Sequence, residues 1–145
     1  LVSIDYNDIE FVNEGVKIFI KRSKTDQSGE GMIKALPYFK NKEFCPIIFL
    51  KKWLEISKIK SGLIFNISDK SVALLIKKYI SLAGFDSNKY SGHSLRSGFA
   101  TVSAESGADE RSIMTMTGHK TTQMVRRYIQ EANLFKNNAL NTIKI

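Results

Sequence analysis

From Gly15 the chain alternates, with Val16, Ile18 and Ile20 on one side and Lys17, Phe19 and Lys21 on the other, the period of a half-buried strand. Asp26-Gln27-Ser28-Gly29-Glu30-Gly31 reads as a polar, glycine-bearing turn, and Met32-Ile33-Lys34-Ala35-Leu36 as a returning strand closed by Pro37. A β-hairpin is predicted. The apolar period then becomes helical. Pro46 stands near the start of a helix carrying Phe49, Leu50, Trp53 and Leu54, Ser61-Gly62 is its stop signal, and Leu63-Ile64-Phe65 reads as a short strand. Val72, Leu75, Ile76, Tyr79 and Ile80 recur at helical spacing behind the capping candidates Ser68 and Asp69, with Gly84 as terminator. This stripe is read as core.

Three shorter periodic segments follow. A helix from about Ser94 places Leu95, Phe99 and Val102 on one face, read as the buried one, and leaves His93 and Arg96 near its first turn. Asp109 caps a short helix containing Ile113, Met114 and Met116, and Gly118 ends it, so that His119 falls on a turn. Thr121 or Thr122 starts the next helix, with Met124, Val125, Tyr128 and Ile129 on its apolar side and Arg126 and Arg127 elsewhere. The tail from Ala132 to Ile145 carries Leu134, Phe135, Leu140, Ile143 and Ile145, enough apolar surface to dock on its own domain or on a neighbouring protomer. With no repeat or linker to divide it, the chain reads as one domain over residues 1–145, of α+β class, mostly helical, with a small antiparallel sheet near the N-terminus.

Composition narrows the partners. Lys and Arg number 22 against 14 Asp and Glu, a formal net charge of +8, which favours polyanions, nucleic acid first, through counterion release. The single cysteine, Cys45, cannot form an internal disulfide and reads as a small buried apolar residue in a reducing compartment. The longest apolar run, Ile47-Ile48-Phe49-Leu50, is far shorter than a membrane span, and a cytoplasmic, nucleoid-associated protein is expected. The opening Leu1-Val2-Ser3 begins as if inside an element, so a piece of a longer chain is expected.

The candidate chemistry sits on the two histidines. His93 opens the string His93-Ser94-Leu95-Arg96, His119 follows Gly118, and Tyr128 stands nine positions beyond His119. A phosphodiester passing through a five-coordinate transition state gathers negative charge on its non-bridging oxygens, which a guanidinium and two imidazole N–H donors can stabilise. A helix N-terminus beside them adds its own preference for an anion. Taken singly, each residue has an ordinary reading: Tyr128 as a packed tyrosine, Arg96 as a solvated cation, His93 as a cap or packing residue. Taken together they suit cleavage by a tyrosine. Two histidines and one distant cysteine offer no zinc spacing, and no phosphate-cradling glycine motif is present, so neither metal nor cofactor is expected.

The stretch from Ser91-Gly92-His93-Ser94-Leu95-Arg96-Ser97-Gly98-Phe99-Ala100-Thr101 through Gly118-His119 to Tyr128-Ile129 resembles the C-terminal catalytic domain of the tyrosine recombinases, the phage-integrase family, in residue type, order and spacing. Upstream, Asp5-Tyr6-Asn7-Asp8-Ile9 looks like the family's acidic segment before its hairpin, and Lys24 falls where the family has a hairpin lysine. The resemblance implies a DNA breaking-rejoining fold and site-specific strand exchange on double-stranded DNA. It makes Tyr128 the nucleophile that becomes a 3′-phosphotyrosine, Arg96, His93 and His119 the phosphate holders, and Lys24 the acid that protonates the leaving 5′ oxygen. His93 is the natural acceptor of the phenolic proton. It further implies a homotetramer on synapsed DNA in the full-length protein, the isolated fragment being monomeric. A topoisomerase-like nicking-closing enzyme and a non-catalytic DNA-binding remnant are the alternatives. The family has another catalytic arginine in a helical segment before the first strand, and this chain begins after that point. Arg22 follows the strand and is not its equivalent. Losing one charge-stabilising donor costs about 100- to 1000-fold in rate, so the fragment is expected to fold but to cleave feebly.

Overall fold

A computed structural model describes residues 1–21, 31–119, 121–134, 136 and 139–142. The chain divides into two compact units, Leu1–Asp69 and Lys70–Ile145.

The first unit is built on a three-stranded antiparallel sheet, β1 (Ile9–Val12), β2 (Gly15–Ile20) and β3 (Met32–Pro37), in the order β1-β2-β3. The alternation read from the sequence sets its faces. Val16 is buried and Ile18 and Ile20 are half-buried, while Lys17 and Phe19 face out. Ile18 pairs with Ile9 on one side and with Lys34 on the other. Strand β1 is additional to the predicted hairpin: it is four residues long with only its two end residues half-buried, too little alternation to be distinguished from a loop. The β2–β3 pairing requires glycine at position 15, because a Cβ there would stand 2.0 Å from the Leu36 carbonyl oxygen.

Helix α1 (Pro46–Ser57) starts on Pro46, as predicted, and buries Ile47 against Val16 and Cys45. It ends earlier than the Ser61-Gly62 signal, on Lys58 in the left-handed conformation (φ 56°), a position that glycine usually takes. Phe49 and Trp53 are 54% and 42% exposed, although Trp53 Nε1 donates to the Ile64 carbonyl at 2.9 Å. The strand predicted at Leu63-Ile64-Phe65 reduces to one bridge between Leu63 and Asp5. Asp8 is the buried carboxylate of this unit. Its Oδ1 pairs with Lys21 Nζ at 2.8 Å and its Oδ2 accepts the Asp5 N–H at 3.0 Å. The Lys21 hydrogen bond, seconded by the Asp5 N–H, holds this carboxyl below the usual aspartate value.

The second unit contains α2 (Asp69–Leu82), α3 (Gly92–Glu105), α4 (Glu110–Thr117) and α5 (Thr122–Asn133). Gly84 (φ 82°) ends α2 as predicted, with Gly84 N–H on Ser81 O and Phe85 N–H on Ile80 O, the paired bonds of a Schellman motif. The apolar stripe of α2, read as core, contains no fully buried residue, and Leu75 and Tyr79 are exposed. On α3, too, the expected face is reversed. Leu95, Phe99 and Val102 are exposed, and the helix buries Ala100 and Ala104 against Ile113 and Val125. Small side chains let α3, α4 and α5 approach closely, and Tyr128, Ile129 and Ala132 close the edge of that cluster. No helix among the described residues is long and apolar enough to cross a membrane.

Candidate active site

Helix α3 begins on Gly92, two residues before the predicted start, so His93 lies inside its first turn. The start is fixed by Ser91 and Ser94: Ser91 N–H donates to Ser94 Oγ at 3.0 Å, and Ser94 N–H donates to Ser91 O at 3.0 Å. The first backbone N–H groups of a helix have no intrahelical acceptor, and their partial positive charge favours an anion. His93 and Arg96, three positions apart, share the adjoining face, and both are exposed. An approaching phosphate would meet them without rearrangement of the core.

His119 is placed by the end of α4. Asp109 caps that helix, its Oδ1 accepting from Ser112 N–H at 3.0 Å, and Gly118 (φ 68°) closes it with its N–H on Met114 O at 2.7 Å. The next residue, His119, is turned back beside Thr117, whose Oγ1 stands 2.6 Å from His119 Nδ1 and 2.7 Å from the Ile113 carbonyl. A carbonyl can only accept, so the single hydroxyl proton of Thr117 goes to Ile113, and Oγ1 is left to accept from Nδ1–H. That assigns the tautomer, with the lone pair of the neutral ring on Nε2. Partial burial, then the charges of Arg96 and His93, hold the His119 pKa below the usual histidine value. The imidazole is therefore within electrostatic reach of both other predicted phosphate holders.

Tyr128 is on α5, whose contacts with α3 and α4 define its setting. Its ring is half-buried against the Ala100, Ala104, Ile113 and Val125 cluster, and its hydroxyl donates to Ser97 Oγ at 3.2 Å. Ser97 is the residue next to Arg96. The phenol oxygen is thus held against α3, one position in sequence from Arg96. The neighbouring Arg126 and Arg127 pair with Glu110 at 3.2 Å and with Glu131 at 3.1 Å. Beside His119 opens a hollow of about 760 Å³ lined by Asp109, Glu110, Arg111, Met114, Thr115 and Thr122. Among the described residues, only His119 of the predicted site lines it, and the charge of the hollow is mixed.

Four of the five predicted site residues, His93, Arg96, His119 and Tyr128, are placed by α3, α4 and α5 of the second unit. Lys24 lies outside the described residues. Two residues at the site were not predicted. Ser97 is four positions beyond His93, a helical spacing that was the one available signal, whereas Thr117, two before His119, leaves none.

The profile of the phage integrase family matches residues 1–134. The chain is 47% identical to an integrase/recombinase XerD homolog of Selenomonas ruminantium, over 97% of this chain and 45% of that protein. It is 39% identical to the tyrosine recombinase XerC of Syntrophus aciditrophicus over 43% of this chain and 20% of that one. Among solved structures it is similar to the XerH site-specific recombinase bound to palindromic difH substrate in a post-cleavage complex. The TM-score is 0.73 at 20% sequence identity, covering 97% of this chain and 40% of that one. That likeness is one of fold: mostly helical, with the small antiparallel sheet. The chain belongs to the phage integrase family, and it spans less than half the length of the XerD homolog.

Proposed function

We propose that this chain is the catalytic part of a site-specific tyrosine recombinase that cleaves and rejoins double-stranded DNA through a 3′-phosphotyrosine. One observation carries the reading: the Tyr128 hydroxyl rests on Ser97, the residue beside Arg96. A nucleophile is useful only where the phosphate is held, and this contact supports the reading because it sets the Tyr128 hydroxyl against α3, the helix that carries Arg96.

In the proposed reaction the Tyr128 oxygen forms a bond to phosphorus as the bond from phosphorus to the 5′ oxygen breaks. The phenolic proton passes to His93, the candidate base in the first turn of α3. Arg96 and the α3 N-terminus stabilise the charge on the non-bridging oxygens. The His119 pKa is held low by partial burial first and by the charges of Arg96 and His93 second. A bound phosphate offsets the charge repulsion, though not the burial, and favours uptake of a proton from solvent at Nε2, converting it to a donor. Lys24, assigned by the family resemblance, gives its proton to the leaving 5′ oxygen. The phosphotyrosine ester keeps the free energy of the broken linkage, so a 5′ hydroxyl from the same or another strand reverses the step.

The basic composition and the recombinase relatives support DNA as the partner and a cytoplasmic, nucleoid-associated location. For the whole protein the family resemblance supports a homotetramer on two synapsed duplexes, with the present chain alone monomeric. The test is covalent capture. The chain is incubated with a randomised duplex pool carrying 5′-bridging phosphorothiolates, whose thiol leaving group cannot reseal efficiently. An adduct on Tyr128 is the expected product, and its DNA reports the preferred sequence. DNA binding without an adduct at any salt or pH would favour the non-catalytic reading.

A further inference from the structure

Ser97 is the polar residue of the site to which the reaction above gives no task. It lies on the α3 face that runs from exposed His93 and Arg96 at the helix start, through half-buried Ser97, to buried Ala100 and Ala104. The spacing of three, four and seven residues from His93 to Arg96, Ser97 and Ala100 keeps all four on one side. Tyr128 crosses this face at its transition from wet to dry. The ring lies on the alanine floor and the hydroxyl reaches the one hydroxyl above it, 3.2 Å away.

We propose that Ser97 is a positioning residue for Tyr128, tethering the phenol oxygen at the border of the cationic face before and during attack. The proposal rests on the reading of Tyr128 as nucleophile. A serine suits this place because its hydroxyl both accepts and donates. While Tyr128 keeps its proton, Ser97 Oγ accepts it. Once that proton has left for the base, the serine O–H turns and donates to the oxygen that is attacking phosphorus. A carboxylate would repel that charge, and an alanine would leave the ring free to turn about its side-chain torsions. At 3.2 Å the contact is longer than an ordinary O–H···O bond, a weak tether while Tyr128 is protonated that shortens when the serine donates to the charged oxygen. Its loss is expected to slow attack by about three- to tenfold, the worth of one neutral hydrogen bond.

The experiment compares Ser97→Ala and Ser97→Thr with the unaltered chain, using ¹³C-labelled tyrosine and the phosphorothiolate pool. Melting temperatures serve as the folding control. The Tyr128 Cζ resonance, identified by its disappearance in Tyr128→Phe, should move in Ser97→Ala while the other four tyrosines do not. The adduct rate at saturating DNA should fall three- to tenfold with DNA affinity unchanged, and Ser97→Thr should restore both. An unmoved resonance, or a rate loss that threonine does not restore, overturns the proposal. The NMR arm needs no DNA and decides even if adducts form slowly. An adduct that persists in Tyr128→Phe removes the nucleophile reading itself and this inference with it, whereas an inert Tyr128→Phe beside an unaffected Ser97→Ala removes the Ser97 role alone.

Discussion

Thr117 Oγ1 stands 2.6 Å from His119 Nδ1 while the same hydroxyl is 2.7 Å from the Ile113 carbonyl. This pairing dictates which nitrogen of His119 carries the proton. Thr117→Val keeps the shape and removes the acceptor, so the ring should lose its single tautomer. Nitrogen-15 NMR of the unaltered chain should show Nδ1–H and unprotonated Nε2 at pH 7.5. Thr117→Val should show a mixture, with the adduct rate reduced about tenfold. One Nε2–H tautomer in the unaltered chain would contradict the assignment.

The depressed pKa of His119 also fixes a pH dependence. The unfolded ring titrates near ~6.5 and the folded one lower, so between the two values the unfolded chain binds more protons. The contribution of the neutral ring is fully present above about 6.5 and is lost as pH falls through the folded value. In urea unfolding, replacing His119 by Gln should flatten the decline in stability over that window. An equally steep decline in the variant would place its origin elsewhere.

Asp8 behaves as a paired carboxylate. Its pKa is lowered by the Lys21 bond first and the Asp5 N–H second, so its stabilising effect is present above about pH 4 and is lost as pH falls through the depressed value. Asp8→Asn should destabilise the first unit by about 1–3 kcal/mol, because a buried acceptor loses its charge and one oxygen. Lys21→Met, which strips only an exposed partner, should cost less. The ratio of the two losses, measured by denaturant midpoint, checks the assignment.

Leaving-group chemistry isolates Lys24. An alkoxide leaving group needs a proton, whereas a thiolate, with a thiol pKa near ~8.5, leaves without one. Lys24→Ala should cleave ordinary phosphodiesters at least about 100-fold more slowly than the unaltered chain, and 5′-bridging phosphorothiolates at nearly the same rate. An equal defect on both would make Lys24 a binding residue.

Local signals carried the hairpin and the helix ends far into the structure. The alternation of β2, the Pro46 start and the Asp109, Gly84 and Gly118 caps all act within a few residues of where they are read. The buried faces did not follow as simply. Leu95, Phe99 and Val102 are more hydrophobic than Ala100 and Ala104, yet the alanines pack, because close approach of α3 to its neighbours depends on side-chain size as well as transfer free energy. The contacts that tune the site were out of reach for another reason. Tyr128 and Ser97 are 31 positions apart, and a hydroxyl pair at that separation leaves no periodicity.

The most direct measurement is the chemical identity of the residue bound to DNA. After capture with the phosphorothiolate pool, proteolysis and mass spectrometry should find one nucleotide-bearing peptide, containing Tyr128, and Tyr128→Phe should yield none. An adduct mapped to Tyr90, Tyr79 or any residue other than Tyr128 would contradict the account.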